Sequence, residues 1–170
     1  MGLLAARGHV LTPDPAGAEV IVVNTCSFVG DARRESVDAI LEMAEFKRTG
    51  SVRRLVVAGC LVERYPGEIQ ESLPEVDAVV GTNQVEAIVT ACEGGGVPPA
   101  PVRPYLYHHL TPRLLSTPRH YAYIKIAEGC DHQCSFCIIP QFRGKFRSRK
   151  PESVAAEAAA LIEQGVREIN

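Results

Sequence analysis

The stretch YAYIKIAEGCDHQCSFCIIPQFRG, residues 121–144, places an apolar run directly before three closely spaced cysteines. Cys130, Cys134 and Cys137 follow one another with the spacing C-x3-C-x2-C. Soft thiolates this close together suit zinc or an iron–sulfur cluster. Three cysteines on a cluster of four irons leave one iron without a protein ligand, and that iron can bind a small molecule. The spacing therefore predicts a metal site with an open position.

Two other interpretations stay open on the residues alone. A zinc site would need a further ligand such as His132, because zinc sites usually combine C-x2-4-C with a second pair of ligands. A disulfide would need an oxidising compartment, but the N-terminus MGLLAARGHV has no long apolar segment typical of a secretion signal. The 6 cysteines therefore favour metal binding in a reducing cytoplasm.

The cysteine spacing resembles that of the radical S-adenosylmethionine enzymes. The resemblance implies a 4Fe–4S cluster on Cys130, Cys134 and Cys137, with S-adenosylmethionine bound to the open iron and cleaved to a 5′-deoxyadenosyl radical. In that superfamily the residue before the last cysteine is usually aromatic and packs near the cofactor. Here that residue is Phe136.

Composition and charge indicate a soluble globular protein with a basic middle. Hydrophobic residues make up 46% of the chain, and no apolar run approaches the roughly 20 residues of a membrane helix. The net charge is −2, yet residues 101–150 carry 9 Lys and Arg against 2 Asp and Glu. The basic segment that follows the cysteines could meet RNA, a ribosome or a cofactor carboxylate, or could be a solvated loop. It contains Arg143, Lys145, Arg147, Arg149 and Lys150.

The first half of the chain alternates predicted strands and helices. Apolar runs at residues 19–25, 54–58 and 76–80 predict strands, the first of them buried on both faces. Helices are predicted at residues 29–48 and from an N-cap at Asn83 to about Cys92. This order predicts a parallel α/β sheet. The expected apolar face of the first long helix consists of Val37, Ile40, Leu41 and Ala44.

Two shorter stretches, residues 1–8 and 62–72, are also predicted to be helical. Residues 1–8 resemble the end of a helix, with Gly8 as its stop. A helix over residues 62–72 should be broken by Pro66.

Cys26 and Cys60 each come just after a predicted strand. Because parallel strands end at the same edge of a sheet, both cysteines are expected at the edge where such sheets bind ligands. A shared metal site and two buried structural thiols are both compatible with this spacing. Cys92 falls late in a helix, away from that edge, and is predicted not to be a ligand.

The chain is predicted to contain a domain at 1–93, a linker at 94–120 and the start of a second domain at 121–170. The linker is rich in Pro and Gly. Its aromatic island of Tyr105, Tyr107, His108 and His109 is expected to anchor it by packing, with metal binding by the two histidines as the alternative. In the second domain a strand at 121–127 leads to the cysteines. A helix should begin at Pro151, with an apolar face of Val154, Ala158, Leu161 and Ile162. Gly165 should end that helix before a strand at 166–170.

VNTC at 23–26, AGC at 58–60 and EGCDHQCSFCIIPQFRG at 128–144 together resemble the methylthiotransferases, across residues 1–170. The resemblance implies a flavodoxin-like parallel-sheet domain lacking its first strand, followed by the first βα unit of a partial (β/α) barrel. It implies two 4Fe–4S clusters in the full-length protein, with Cys26 and Cys60 among the ligands of the second, which carries the sulfur. The first strand and its cysteine are expected upstream of Gly8, so that this fragment alone should be inactive.

The resemblance also implies a substrate and partners. TPRHYAYIKIAEG at 117–129 is most similar to the branch that modifies the β-carbon of an aspartate in a small-subunit ribosomal protein. That ribosomal protein or the ribosome, and a reducing electron donor, are the implied partners, with no membrane involved. The alternatives are the branch that modifies an adenosine of tRNA, an electron-transfer iron–sulfur protein, and a zinc-bearing nucleic-acid-binding module.

Overall fold

The computed structural model describes residues 1–50, 52–65, 67–98 and 105–170. They form two compact units, one of residues 10–105 and one of residues 1–9 with 106–170. The helices are α1 (Gly2–Ala6), α2 (Gly30–Thr49), α3 (Cys60–Arg64), α4 (Glu68–Ser72), α5 (Ala87–Cys92), α6 (Ile139–Arg143) and α7 (Pro151–Glu163). The strands are β1 (Val20–Thr25), β2 (Arg54–Gly59), β3 (Ala78–Val80), β4 (Tyr121–Ala122), β5 (Ala127–Glu128), β6 (Arg147–Ser148) and β7 (Glu168–Ile169). Within these described residues, no helix combines the length and apolarity that crossing a membrane requires.

The unit of residues 10–105 is built on a parallel sheet with the order β1-β2-β3. The central strand β2 is the most deeply buried, since Leu55, Val56 and Val57 are all inaccessible to solvent. The prediction of a parallel α/β sheet is confirmed. The prediction that β1 is buried on both faces is wrong. Its residues alternate between buried and exposed, because β1 lies at the edge of the sheet and only one of its faces packs against the core.

Helix α2 packs on this sheet through a narrower face than its sequence suggests. Ile40 and Ala44 are buried as predicted, and Ser36 joins them on the same face. Val37 and Leu41 are exposed, Leu41 by 47%, so their predicted place in the core is wrong. They lie on the flank of the helix, which the sheet does not cover.

Two further details of this unit differ from expectation. Helix α5 begins at Ala87 and not after Asn83. The Gln84 side chain accepts the Gly81 amide at 2.8 Å and the Ala87 amide bonds the Gln84 carbonyl, which makes a turn of these residues. Helices α3 and α4 flank residue 66, while Pro66 itself lies outside the described residues, as do the linker residues Pro99, Pro101 and Pro104.

The unit of residues 106–170 contains a parallel pair, β4 with β7, joined through α7. Pro151 opens α7 and Gly165, at φ 94°, follows its end, as predicted. Leu161 packs with Ala122 and Val166 in a small core, and Val154 and Ala158 are half-buried. Ile162 is 60% exposed, so its predicted place on the apolar face is wrong.

The single strand predicted at 121–127 is wrong, because the chain changes its pairing partner within that stretch. Tyr121–Ala122 pair with β7, whereas Ala127–Glu128 form an antiparallel pair with β6. Between them the Ile124 amide bonds the Asn170 carbonyl, and the Ile126 carbonyl accepts the Arg149 amide. The result is a β4 segment in the small core and a β5 segment that leads into the cysteines.

Candidate functional site

Cys26 and Cys60 lie at the same edge of the parallel sheet. In the register of β1 and β2, Thr25 is the partner of Gly59, and each cysteine is the next residue along its chain. Cys26 is exposed and Cys60 is half-buried, and neither forms a disulfide. Two cysteines that are not in a disulfide are thus brought to the ligand-binding edge of the sheet.

Gly59 allows the two cysteine-bearing segments to approach closely. Its φ is +107°, a conformation that favours glycine. A Cβ atom at this position would lie 2.6 Å from the Thr25 carbonyl oxygen. A larger residue before Cys60 would therefore push β2 away from the end of β1.

Hydroxyl groups fix the backbone around both cysteines. Ser27 Oγ donates to the Cys60 carbonyl at 3.0 Å, and Ser36 Oγ accepts the Cys26 amide at 3.0 Å. Sequence reasoning missed both serines. A signal was present for Ser36, a polar residue in helical register with the buried Ile40 and Ala44.

Cys92 is separate from this edge, as predicted. It ends α5 and is 7% exposed. Burial raises the pKa of its thiol, and the positive charge of Arg54 only partly opposes that effect. Cys92 is therefore a protonated core thiol and a poor metal ligand.

The other three cysteines occupy a loop between β5 and α6 in the second unit. The Cys130 amide donates to the Gly144 carbonyl at 3.1 Å, and the Phe146 amide donates to Asp131 Oδ1 at 3.1 Å. Gly129, at φ +80°, precedes Cys130, and a Cβ there would lie 2.6 Å from the Gly144 carbonyl oxygen. These contacts close the base of the cysteine loop, residues 129–144.

Away from its base the cysteine loop is open to solvent. Cys134 is exposed, Cys130 and Cys137 are half-buried, and all three are free thiols. The Cys137 amide bonds the Cys134 carbonyl at 3.1 Å, which makes a turn of these residues. Phe136 within that turn is 89% exposed, so its ring is available to a bound molecule. A cavity of ≈ 300 Å³ beside the loop is lined by Cys130, Asp131, His132 and Phe146.

In the part of the chain that the structure describes, no three His, Cys, Asp or Glu side chains converge closely enough to hold a single metal ion. An iron–sulfur cluster does not require its cysteine ligands to converge on one point, because each thiolate binds a different iron and the ligands surround the cluster. Three unpaired thiols on one solvent-accessible loop have the donor chemistry that such a cluster needs. The residues of the loop therefore fit a cluster with three protein ligands.

A half-buried carboxylate lies where the cysteine loop begins. Glu128 forms ion pairs with Lys125 and, at 3.0 Å, with Arg143. Burial raises the pKa of Glu128, but the hydrogen bonds and charges of Lys125 and Arg143 outweigh burial and hold it below its ordinary value. Arg143 ends α6, so this carboxylate connects the two ends of the cysteine loop.

The basic segment includes a residue whose charge is paired inside the protein. Arg149 is almost fully buried, where it binds Glu157 and donates to the Lys125 carbonyl at 2.9 Å. For Arg149, the predictions of a partner-binding charge and of a solvated loop residue are both wrong. Counting charges along the sequence could not reveal a carboxylate partner on α7.

The predicted packing of the linker histidines is also wrong, since His108 and His109 are exposed. The amide of His109 donates to Ser153 Oγ at 3.1 Å, and its ring Nδ1 lies 3.3 Å from the same oxygen. Tyr107 places its ring 5.6 Å from Lys125 Nζ.

Two family models match this chain. One, described as "Uncharacterized protein family UPF0004", matches residues 1–81, and the Radical SAM superfamily matches residues 124–170. The two matches contain the two sets of cysteines that the structure places in separate units.

Curated relatives match over the whole chain. The ribosomal protein uS12 methylthiotransferase RimO of Solibacter usitatus (strain Ellin6076) is 62% identical over 100% of this chain and 37% of its own length. The RimO proteins of Anaeromyxobacter sp. (strain K) and Koribacter versatilis (strain Ellin345) are 50% and 48% identical. They are matched over 100% and 99% of this chain and 37% and 43% of their own lengths. The chain thus spans less than half the length of these relatives, and it belongs to the radical S-adenosylmethionine methylthiotransferase family.

Proposed function

We propose that this chain is part of an enzyme that adds a methylthio group to the β-carbon of an aspartate in ribosomal protein uS12. The observation that carries the proposal is the 62% identity to the Solibacter usitatus RimO protein across the whole chain. The partners are then uS12 or the small ribosomal subunit, and a reducing electron donor, in the cytoplasm. One S-adenosylmethionine supplies the methyl group and another supplies the radical.

Cys130, Cys134 and Cys137 are the proposed ligands of the radical cluster. When bound, this cluster supplies the single electron that cleaves S-adenosylmethionine. The exposed turn from Cys134 to Cys137 gives the cofactor access, and the solvent-facing ring of Phe136 offers it an apolar contact. The hydrogen bond from the Cys130 amide to the Gly144 carbonyl holds Cys130 in place at the base of the loop, while Cys134 remains exposed.

Cys26 and Cys60 are proposed as ligands of a second 4Fe–4S cluster, which carries the sulfur that is transferred. Their common place at the sheet edge and the absence of a disulfide at either cysteine support this role. Cys92 does not take part, because its thiol is buried in the core and stays protonated.

Anaerobic reconstitution of the 170-residue chain with iron and sulfide tests the cofactor assignment. We expect bound iron and an electron paramagnetic resonance spectrum that shifts when S-adenosylmethionine is added. The Cys134→Ala chain should lose that shift, whereas the matched Cys92→Ala chain should keep it. A spectrum indifferent to the cofactor would favour an electron-transfer protein, and retention of zinc in place of iron would favour a zinc module.

A chimera tests the substrate. The corresponding segment of the Solibacter usitatus enzyme is replaced by residues 1–170, and the chimera is expressed in a host that lacks its own uS12 methylthiotransferase. Mass spectrometry should show one methylthio group on the aspartate peptide of uS12, and none when Cys134 is Ala. Unmodified uS12 together with new methylthio-adenosine in tRNA would reject the proposed substrate in favour of the tRNA branch.

A further inference from the structure

We propose that Ser27 and Ser36 are positioning residues that hold Cys26 and Cys60 at a fixed separation. The inference rests on the proposed function, in which these two thiols bind one cluster. It adds a role for two hydroxyl groups that form hydrogen bonds with the backbone of these cysteines. Both act on the backbone of the cysteines.

Ser27 connects the two cysteine-bearing segments directly. Its side chain is completely buried, and its Oγ donates to the carbonyl oxygen of Cys60 at 3.0 Å, across 33 residues of sequence. The carbonyl of Ser27 accepts a hydrogen bond from Arg64 at 3.2 Å. Arg64 and Cys60 both belong to α3, so Ser27 ties the segment after β1 to both ends of that short helix. Ser27 thereby restrains the position of Cys60 relative to Cys26.

Ser36 holds the Cys26 backbone to α2. This residue lies on the buried face of α2, where its Oγ accepts the Cys26 amide at 3.0 Å. The same Oγ lies 3.0 Å from the Cys26 carbonyl and 2.8 Å from the Ala32 carbonyl, and its single proton can be donated to either. Cys26 is therefore fixed to the helix even though its side chain is exposed.

A buried hydroxyl requires a partner, because an unpaired polar group is costly to bury. Thr25 provides a comparison within the same sheet edge. Its Oγ1 donates to the Ala58 carbonyl at 2.7 Å and is also buried, but this bond joins β1 to β2 before the cysteines. Thr25 stabilises the sheet, whereas Ser27 and Ser36 bind the cysteines themselves.

The test measures the separation of the two thiols without any metal. In the 170-residue chain, Cys92, Cys130, Cys134 and Cys137 are replaced by Ala, so that only Cys26 and Cys60 remain. Dibromobimane then alkylates one thiol and, if the second is near, closes a fluorescent bridge, with two C–S bonds formed and two bromides released. The ratio of bridged to singly alkylated chain is compared for the parent, Ser27→Ala, Ser36→Ala and the matched control Thr25→Val.

We expect efficient bridging in the parent and in Thr25→Val, and a decrease of about fivefold in each serine variant, as expected for loss of one hydrogen bond. Circular dichroism confirms that each variant is folded, and either serine variant tests the inference if the other fails to fold. Bridging at the parental ratio in a folded serine variant would overturn the positioning role alone. Equal decreases in the serine variants and Thr25→Val would also overturn it, by showing a general loosening of the edge. An unbridged parent would overturn the proposed second metal site itself.

Discussion

The carboxylate of Glu128 accepts a hydrogen bond from the guanidinium of Arg143 at 3.0 Å, so an ion pair joins the two ends of the cysteine loop. Glu128→Gln should free the loop, because Arg143 and Lys125 would both lose a charged partner. We expect a loss of about 1–3 kcal/mol in the local free energy of opening. Hydrogen exchange at the Cys130 amide, which bonds Gly144 across the base of the loop, should accelerate accordingly.

The matched control for this pair is Glu45→Gln. Glu45 also pairs with an arginine, Arg48, at 2.9 Å, but both side chains are mostly exposed. Loss of such a pair should change stability by less than about 1 kcal/mol. Unchanged exchange of the Cys130 amide in Glu128→Gln would contradict the role of the ion pair.

Gly129 and Gly144 both have positive φ, at +80° and +70°, but only Gly129 is crowded. Gly144→Ala has open space, so it should cost only the backbone term, which is about 1–3 kcal/mol for a side chain in this glycine-specific region at ψ −165°. Gly129→Ala should cost clearly more, because its Cβ would collide with the carbonyls of Gly144 and Lys145. Urea unfolding and bound iron after reconstitution provide the measurement. If Gly129→Ala and Gly144→Ala lost the same stability and the same amount of bound iron, the close approach at Gly129 would have no effect on either.

The elements that place the cysteines could be predicted because their signals are local. Apolar runs marked β1 and β2, and the residue after each strand is a cysteine, so the common edge followed from parallel topology. Pro151 and Gly165 similarly marked the ends of α7. In each of these cases the decisive residues lie within a few positions of the element that they define.

The remaining features depend on contacts between distant parts of the sequence. The bond from Ser27 to Cys60 spans 33 residues, and no pattern near Ser27 indicates its partner. Arg149 belongs to a run of basic residues in the sequence, and nothing in that run indicates that its partner is Glu157 on α7. Periodicity predicts that Leu41 and Ile162 lie on apolar helical faces, but it does not show how much of each face the rest of the protein covers.

The pH dependence of stability should depend in part on Asp77. Burial raises the pKa of this carboxyl, but hydrogen bonds from Lys47 and the Leu55 amide, with the charges of Lys47 and Arg54, lower it below 3.8 overall. A depressed folded-state pKa adds stability above the unfolded-state pKa, and this stability is lost as the pH falls through the folded-state value. Asp77→Asn should therefore destabilise the chain at neutral pH by about 1–3 kcal/mol.

Urea unfolding over a pH series measures this effect. The difference between the parent and Asp77→Asn should shrink as the pH falls below the ordinary aspartate range. Asp38→Asn, which alters an exposed aspartate on α2, is the control and should show little change at any pH. A difference that stays constant into strong acid would rule out the charge of Asp77 as its source.

The cysteines should differ sharply in their reactivity towards iodoacetamide. The thiolate is the reacting species, and burial both raises the pKa of Cys92 and restricts access to its sulfur. Cys134 is exposed, so its alkylation does not require the fold to open. We expect Cys92 to react at least about tenfold more slowly than Cys134 in the native, metal-free chain, which corresponds to an opening free energy above roughly 1.4 kcal/mol. Peptide mass spectrometry after timed quenching gives both rates from one sample.

The difference between the two rates should largely disappear in denaturant, where both thiols are exposed to the same solvent. If Cys92 reacted as fast as Cys134 in the native chain, it would not be a core thiol, and its exclusion from the metal-binding cysteines would have to be withdrawn.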